Sequence, residues 1–494
     1  GSTDITGEPP VGRLSPTRRV GDLQSVLPSG ARGAKNQNNP ERRGMGSIIG
    51  RMLKRLRYAF ASLLRIRPED NVAPEVARHF KHNVLVNTLD ITAFFGGEAY
   101  ISVNTIMPVF AATLTDNPVI IGLIPALVNA GWYIPQLFMA SKVSRLERKL
   151  PFTMRMSAME RVPHLFFPFL ALAIPRIGAQ TALVFLVILM AWRGLAAGLT
   201  ALPWQEVTAR AIPLSHRSRF WGISRVSGQI VGILSSVVAA FVLNHFAYPN
   251  NYAIGFSIAV VFLLGSWFAF SRNIEPLPNP SPLPLPGSLR TQEPNFSLAG
   301  KILREDANFR RYLVARIVAF FGNMATGYLA VYGLRRFSLP DGQAAIFTGL
   351  LYAASIMGYA LWGYLGDRVG PRRILVTSFM IWVTALAIAI LAPSIWVYYL
   401  VFLAYGFYVS GSVMSDAILV LELGSDELRP TYMGLARTLA SPGLLLAPFI
   451  AGVIVEASSY PVMFAVSAAL ALAAAWLMNR VQDRPRGRVP GERS

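Results

Sequence analysis

Twelve long apolar segments constrain this chain more than any other feature of its sequence. Each has about 20 residues or more, the length that a helix needs to cross a bilayer. None alternates apolar and polar residues as a strand does, and a helix satisfies its own backbone groups in lipid. We therefore predict an all-α integral membrane protein with twelve transmembrane helices. The segments run at roughly 84–114, 117–140, 152–174, 179–203, 222–245, 251–271, 312–334, 342–366, 371–392, 396–421, 431–455 and 460–479.

The composition agrees with a membrane protein and excludes several classes of site. Of the 494 residues, 53% are hydrophobic and 15% are charged, whereas about 25% of the residues of a soluble domain are charged. So few charged residues cannot cover the surfaces of two or three soluble domains. The chain has no cysteine, which excludes disulfides, thiolate metal sites and cysteine nucleophiles. We predict no metal and no cofactor.

A proline-dense stretch divides the segments into two sets of six. Residues 275–286 read Glu-Pro-Leu-Pro-Asn-Pro-Ser-Pro-Leu-Pro-Leu-Pro, which can form neither a helix nor an inner strand. We therefore predict two six-helix bundles, residues 83–271 and residues 306–480. A Pro-rich cytoplasmic linker, residues 272–305, joins them, and a basic tail, residues 481–494, follows the second bundle.

The positions of lysine and arginine predict the orientation in the membrane. Basic residues concentrate in the loops on one side of the predicted bundles, whereas the other side has only Arg176, Arg335 and Arg336. Because cytoplasmic loops carry the basic excess, we expect both termini to be cytoplasmic in a multi-pass protein of the cell membrane. The net charge of +20 then indicates contact with anionic lipid headgroups and does not require nucleic acid.

The segment before the first span has two parts. Residues 1–47 are basic and rich in Gly, Pro, Ser and Asn, which is typical of a disordered arm. Residues 48–82 contain an amphipathic pattern and a lead-in to the first span. Such a basic amphipathic helix is predicted to lie in the membrane interface; the alternative is a helix that packs on the cytoplasmic face of the protein itself.

One loop carries a specific motif. After the eighth span the chain reads Gly363-Tyr-Leu-Gly366-Asp367-Arg368-Val-Gly370-Pro371-Arg372-Arg373. We expect Gly363 to allow close helix packing and Gly370 to permit a tight reversal. Asp367 and Arg368 are expected to form a cytoplasmic gate with the other residues of the loop, and Arg372 and Arg373 to hold it at anionic headgroups.

This loop resembles the signature of the major facilitator superfamily. Residues 204–222 and 429–434 resemble further loops of that family, after the fourth and tenth spans. The resemblance implies two pseudo-symmetric six-helix bundles around a central cavity, with alternating access by rocking of one bundle against the other. It also implies that the first, fourth, seventh and tenth spans line the cavity.

Polar residues in the first span are candidates for solute or proton binding. Asn87, Asp90 and Glu98 fall on one broad helical face, which is typical of a wet cavity. Charges at membrane depth are expensive, so each needs a functional or structural reason. Asp90 and Glu98 are the leading candidates for carrying a proton; the alternative is a structural pair with an arginine on another span.

Further candidates lie in other spans. In the third span Glu160 and His164 are one helical turn apart and form either a proton relay or a buried polar brace. Arg161 is a substrate-cavity candidate and a candidate partner of Asp90 or Glu98. Four more residues are substrate-cavity candidates, although Arg316 and Asp416 are also compatible with positions near a membrane surface: Arg193, Arg316, Asn323 and Asp416.

We conclude from the sequence that the chain is a secondary transporter of a small organic solute. We expect proton coupling, a monomer, and a lean towards export. One alternative is a transporter-like sensor or scaffold that acts through the N-terminal arm. A membrane-embedded enzyme is the other alternative, but the five histidines are scattered and form no pattern with a nucleophile or a metal.

Overall fold

The computed structural model describes residues 65–66, 70, 72–276, 296–424 and 428–482, which belong to one compact unit. The predicted disordered arm, residues 48–64 of the amphipathic segment, the proline-dense residues 277–295 and residues 483–494 of the tail lie outside the described residues. The described part is helical throughout. Its helices are α1 (Pro74–Glu98), α2 (Ile106–Ala112), α3 (Pro118–Ser144), α4 (Leu150–Ile177), α5 (Ala179–Ala211), α6 (Leu214–His245), α7 (Asn250–Ser271), α8 (Phe296–Glu305), α9 (Ala307–Gly322), α10 (Leu329–Phe337), α11 (Gly342–Val369), α12 (Pro371–Leu391), α13 (Ile395–Leu423), α14 (Arg429–Ala457) and α15 (Tyr460–Asn479).

The helices correspond to the twelve predicted spans. Ten spans are single helices, whereas α1 with α2 forms the first span and α9 with α10 the seventh. Within the described ranges, nine helices are long and apolar enough to cross a membrane. Two boundaries differ from the prediction: α1 begins at Pro74, before residue 83, and α8 lies inside the predicted linker. Proline at the first helical position explains the early start, because its missing N–H would be unpaired there anyway.

Both broken spans leave backbone groups that side chains satisfy. Gly322, at the end of α9, accepts hydrogen bonds at its carbonyl from Trp382 Nε1 (2.7 Å) and Ser467 Oγ (2.6 Å). Between α1 and α2, the carbonyl of Ile101 accepts one from Arg193 Nη1 at 3.1 Å. Non-helical backbone at membrane depth is tolerated only where the protein itself supplies such partners. The breaks are therefore built features of both halves.

The two halves repeat one packing scheme. In the first bundle α1 packs on α6 and α7, α3 on α5, and α4 on α5 and α7. In the second bundle α9 packs on α14 and α15, α11 on α13, and α12 on α13 and α15. Across the bundles α3 packs on α14, and α6 packs on α11. This is the predicted arrangement of two pseudo-symmetric six-helix bundles.

The loops divide between two faces. One face, here the basic face, carries the start of α1, the α3–α4, α5–α6 and α11–α12 junctions and the end of α15. It holds the basic loop residues noted in the sequence, among them Arg145, Arg148 and Lys149. The opposite face carries the α2–α3, α6–α7 and α10–α11 junctions.

Close approach of backbones holds α3 against α5. A Cβ atom built on Gly131 would lie 2.5 Å from the carbonyl carbon of Gly194, and one built on Gly194 would lie 2.5 Å from the carbonyl oxygen of Leu127. Real Cβ atoms do not approach backbone this closely, so only glycine permits this packing. Small residues at such contacts are the usual means of close helix packing in membranes.

We expect Gly131→Ala to destabilise the protein by about 1–3 kcal/mol, because the added methyl group overpacks α3 against α5. The matched control is Gly265→Ala in α7, where a Cβ meets no atom within 4 Å. That change should preserve or raise the melting temperature, because alanine favours a helix. Thermal unfolding of the purified variants measures both, and equal melting temperatures would contradict the packing argument.

Candidate functional site

A hollow lies between the bundles and consists of two adjoining cavities. The larger has a volume of about 580 Å³ and is lined almost wholly by the first bundle, and the smaller, of about 220 Å³, borders the second bundle. Trp132 and Gln205 line both cavities and so mark where they meet. The larger cavity reaches the basic face at the α5–α6 junction, where Ile212 and Arg217 contribute to its wall.

Asp90 on α1 lines the larger cavity and is held by neutral donors. Its Oδ2 accepts a hydrogen bond from Trp204 Nε1 at 2.9 Å, and its Oδ1 accepts one from Ser266 Oγ at 2.6 Å. The residue is 4% exposed. Among the described residues, no lysine, arginine or histidine lies within salt-bridge distance of its carboxylate.

The third-span cluster joins Asp90 through one hydroxyl group. Arg161 Nη1 lies 2.8 Å from Glu160 Oε2, and Arg161 Nη2 donates to Ser266 Oγ at 3.2 Å. Ser266 therefore bridges Arg161 and Asp90. His164 contacts the backbone carbonyl of Glu160 through Nδ1 at 2.8 Å and does not line either cavity. The expectation that Arg161 pairs with Asp90 or Glu98 was wrong, because its sequence neighbour Glu160 is its salt-bridge partner.

Glu98 pairs with Arg193 instead. Arg193 Nη2 lies 2.5 Å from Glu98 Oε1, and both side chains are largely buried. Because Arg193 also donates to Ile101, this arginine joins α5 to the end of α1 and to the break that follows it. Neither residue lines the cavities. Arg193 therefore compensates the buried charge of Glu98 and also donates a hydrogen bond to the carbonyl of Ile101, which the helix break leaves unpaired.

The second bundle contributes its own ion pair to the hollow. Arg316 Nε lies 3.0 Å from Asp416 Oδ1, and Tyr312 donates its hydroxyl to the same oxygen at 2.7 Å. Arg316 and Asp416 both line the smaller cavity, so the cavity assignment describes them better than a position near a membrane surface. Asn323 accepts a hydrogen bond from the Tyr408 hydroxyl at 2.6 Å and does not line the cavity.

Asn87 lies outside the hollow. Its amide donates to the backbone of Asn83 and to the side chain of Asn273, at the end of the first bundle. Asn83 in turn forms two hydrogen bonds with the backbone of Ile274. These asparagines tie the start of the linker to α1. Their position on the polar face of the first span explains why sequence alone placed Asn87 in the cavity.

The opposite face is closed by contacts between the bundles. Burial raises the pKa of the Asp341 carboxyl on this face, and the hydrogen bond from Tyr252 opposes part of that rise. The contacts pair Thr105 with Thr348, Asp116 with Arg335, Pro118 with Tyr328, Asn244 with Gly342, and Tyr252 with Asp341.

The loop motif on the basic face is only partly as predicted. Gly370 has a φ of 88°, which the predicted tight reversal requires. The expectation for Gly363 was wrong: a Cβ there would meet no atom within 4 Å, so the glycine allows no close packing. Arg372 donates to the carbonyls of Asn479 and Val481, which binds the loop to the end of α15; contact of this loop with headgroups stays a prediction.

The other motif residues lie at the same loop. Arg368 stacks over the ring of Tyr364 at 4.4 Å, and Arg373 is exposed. The side chain of Asp367 lies outside the described residues. Its part in a cytoplasmic gate therefore stays a prediction.

Several residues of the site were missed by the sequence. Ser266, one partner of Asp90, lies in an apolar helix where nothing marks a hydroxyl group as functional. Trp204, the other partner, begins the stretch that resembles a family loop, but that resemblance does not indicate a contact with Asp90. Glu275, at the start of the predicted linker, accepts hydrogen bonds from the backbone N–H groups of Lys149 and Leu150 and pairs with Arg210 at 2.7 Å. The sequence feature that could have indicated this role of Glu275 is an acidic residue directly before a run of prolines.

We expect Arg193→Met to destabilise the protein by about 3–5 kcal/mol, because it leaves Glu98 as a buried charge without a partner. The loss should shrink at low pH, where Glu98 is protonated. The double variant Glu98→Leu with Arg193→Met should recover most of the stability, because an apolar pair replaces the ion pair. Thermal unfolding of the wild type, both single variants and the double variant measures the coupling. A double variant no more stable than Arg193→Met would contradict it.

Comparison with known proteins agrees with this fold. Residues 312–494 match the family model described as Major Facilitator Superfamily, and no curated protein matches the chain. The chain is similar to the structure of the nucleoside transporter NupG, with a TM-score of 0.58, 12% identity, and coverage of 81% of this chain and 98% of that one. It is also similar to a D-xylose-proton symporter, with a TM-score of 0.61, 16% identity and coverage of 81% and 97%.

A third similar structure is a bacterial homolog of the human lysosomal transporter Spinster, in an inward-facing and unoccupied conformation. The TM-score is 0.59 at 14% identity, with coverage of 84% of this chain and 100% of that one. At these identities the likeness to solved structures concerns the fold alone. Residues 312–494 thus match the major facilitator superfamily, and the described chain shares the fold of these transporter structures.

Proposed function

We propose that this transporter moves a small organic solute in exchange with protons, with Asp90 as the residue that carries the proton. The environment of Asp90 is the observation on which the proposal depends. A buried carboxylate that only neutral groups contact is costly to keep ionised. Because Asp90 lines the cavity, a proton can reach it from the hollow and leave again.

Glu98 has a different environment and takes a different role in this proposal. Its salt bridge with Arg193 compensates its charge, so it needs no proton to be stable in the bundle. We assign the Glu98–Arg193 pair to bracing the break in the first span. Proton binding then falls to Asp90 alone among the two carboxylates of that span.

The third-span cluster supplies the connection between proton and solute. Arg161 lines the cavity and contacts Ser266, which donates to Asp90. A change in the charge of Asp90 therefore changes the electrostatic potential at Arg161, because only the hydroxyl group of Ser266 lies between the two side chains. In this proposal Glu160 holds Arg161 in place, and His164 braces the helix through the carbonyl of Glu160.

The hollow and the closed face support alternating access. The hollow reaches the basic face, while contacts between the bundles close the opposite face. We propose that this is an inward-facing arrangement, with the basic face and both termini in the cytoplasm and the chain in the cell membrane. Basic residues favour that side, and the similar Spinster homolog is described as inward-facing. We propose a monomer as the working unit, because the hollow is complete within one chain.

A proton gradient supplies enough energy for such transport. One charge that crosses a potential of 100 mV releases about 2.3 kcal/mol, which supports a concentration ratio of about fiftyfold. The similar D-xylose-proton symporter is named for proton coupling in a protein of this fold. For direction we propose export, on the base rate alone of the family that the chain resembles.

We expect Asp90→Asn to abolish solute movement driven by a pH gradient, because asparagine keeps the shape of the side chain but binds no proton. Exchange of labelled solute at equal pH should persist, since it requires no net proton transfer. Both are measured in liposomes that contain the purified protein, with a solute selected by thermal shift from a metabolite and drug panel.

The matched control for this experiment is Glu75→Gln at the start of α1, where the side chain is exposed and lines neither cavity. This variant should transport as the wild type does. Gradient-driven movement that survives in Asp90→Asn with an unchanged proton ratio would refute the role of Asp90.

The absence of cysteine allows a direct test of orientation. We expect a membrane-impermeant maleimide to label Ala247→Cys, in the α6–α7 junction, on intact cells. Arg148→Cys, in the α3–α4 junction, should react only after the membrane is permeabilised. Both positions are exposed, so accessibility of the site does not limit labelling. Reaction of Arg148→Cys on intact cells would reverse the proposed orientation.

A further inference from the structure

Two arginines face the hollow from different bundles, and neither has an acidic partner among the described residues. Arg225 on α6 lines the larger cavity, and Arg437 on α14 lines the smaller one. Both are exposed, and neither forms a salt bridge within the part of the chain that the structure describes. Two positive charges in the hollow are therefore available to a ligand.

The other arginines that line the two cavities already have salt-bridge or hydrogen-bond partners. Arg161 pairs with Glu160, and Arg316 pairs with Asp416. Arg217 donates to the carbonyls of Ala209 and Ile212 at the end of α5. The walls of the two cavities thus hold five arginines against three carboxylates, those of Asp90, Glu160 and Asp416. The surplus charge of the hollow is positive.

The two free arginines occupy equivalent places in the repeat. The fifth span contains Gly222-Ile-Ser-Arg225, and the eleventh contains Gly434-Leu-Ala-Arg437. Both glycines have no atom within 4 Å of an added Cβ, so open space adjoins each arginine. Each helix also packs on the other bundle, α6 on α11 and α14 on α3. A group that contacts both arginines therefore contacts both halves of the transporter.

The rest of the larger cavity is aromatic. Its polar lining offers few hydroxyl or amide groups, chiefly Ser157, Thr200, Gln205 and Thr208. A solute with many hydroxyl groups would leave most of them unpaired in such a cavity, which costs free energy. A flat apolar group would be covered by rings instead. Rings of this wall belong to Phe94, Phe95, Trp132, Trp204, Trp221 and Trp267.

We propose that the transported solute is an organic anion with an aromatic or similarly apolar body. Its anionic group binds between Arg225 and Arg437, and its body lies among the rings of the larger cavity. The proposal rests on the transport function proposed above and names the class of its solute. Arginine suits this role because its planar group binds carboxylate or phosphate oxygens in pairs.

The same geometry couples the anion to the movement of the bundles. Closing the basic face brings the bundles together on the side where the two like charges lie. An anion between them offsets the repulsion between the two like charges. The loaded transporter then closes more readily than the empty one, as productive exchange requires.

The test compares naphthalene derivatives that differ in charge and share one body. The probes are 1-naphthyl phosphate, 1-naphthol and 1-naphthylmethylamine, titrated calorimetrically into the purified full-length protein at pH 7. We expect the phosphate to bind at least about tenfold more tightly than the other two, from charge-assisted hydrogen bonds. Its affinity should fall as salt is added.

Variants separate the arginines from the general charge of the protein. Arg225→Gln and Arg437→Gln should each weaken binding of the phosphate about tenfold, whereas Arg225→Lys should retain part of it. Arg219→Gln is the matched control, because Arg219 is exposed on the same helix but does not line the hollow. Its binding should equal that of the wild type, and melting temperatures show whether each variant is folded.

Three results would overturn the proposal. These are equal or tighter binding of the amine or the naphthol, unchanged binding of the phosphate in both glutamine variants, and no binding of the phosphate up to millimolar concentration. The binding measurement uses no pH gradient and therefore does not depend on proton-driven transport. Failure of proton coupling therefore leaves this result intact, and failure of anion binding leaves proton coupling to be judged separately.

Discussion

Every backbone polar group inside a bilayer must find its partner within the protein, and this constraint shapes the whole structure. Most spans meet it by remaining continuous helices. The first and seventh spans break, and the freed carbonyls of Ile101 and Gly322 are taken by Arg193, Trp382 and Ser467. A buried arginine at the first break then requires a buried carboxylate, which is Glu98. One local interruption of a helix thus accounts for an ion pair deep in the bundle.

The charges of the first bundle fall into two kinds once these pairs are known. Those of Glu98 and Glu160 are compensated by arginines, and their residues hold helices together. Within the described part of the chain, the carboxylate of Asp90 accepts hydrogen bonds only from the indole of Trp204 and the hydroxyl group of Ser266. This difference, more than depth or sequence position, separates a structural carboxylate from one suited to proton exchange. In the proposed mechanism, Asp90 exchanges its proton beside the cavity wall, close to Arg161.

Much of the architecture could be predicted because lipid permits so few solutions. The lengths of the apolar segments and the proline run before the seventh span were enough for twelve spans in two halves. The salt-bridge partners of buried side chains were harder to predict. Helix periodicity shows on which face of a helix a residue lies, but it does not show which residue of a neighbouring helix lies opposite. Arg161 was therefore assigned to Asp90 or Glu98, although it pairs with Glu160. Gly363 belongs to a motif by its spacing, yet nothing packs against it.

Glu275 determines how force passes between the halves. Its carboxylate is fixed by the first backbone N–H groups of α4 and by Arg210, while asparagines hold the two residues before it. In the proposed rocking movement, a pull along the polypeptide from the second bundle would be stopped at this anchor and spread over α1, α4 and α5. The anchor would thereby protect the last helix of the first bundle from unwinding while the halves change their relative position.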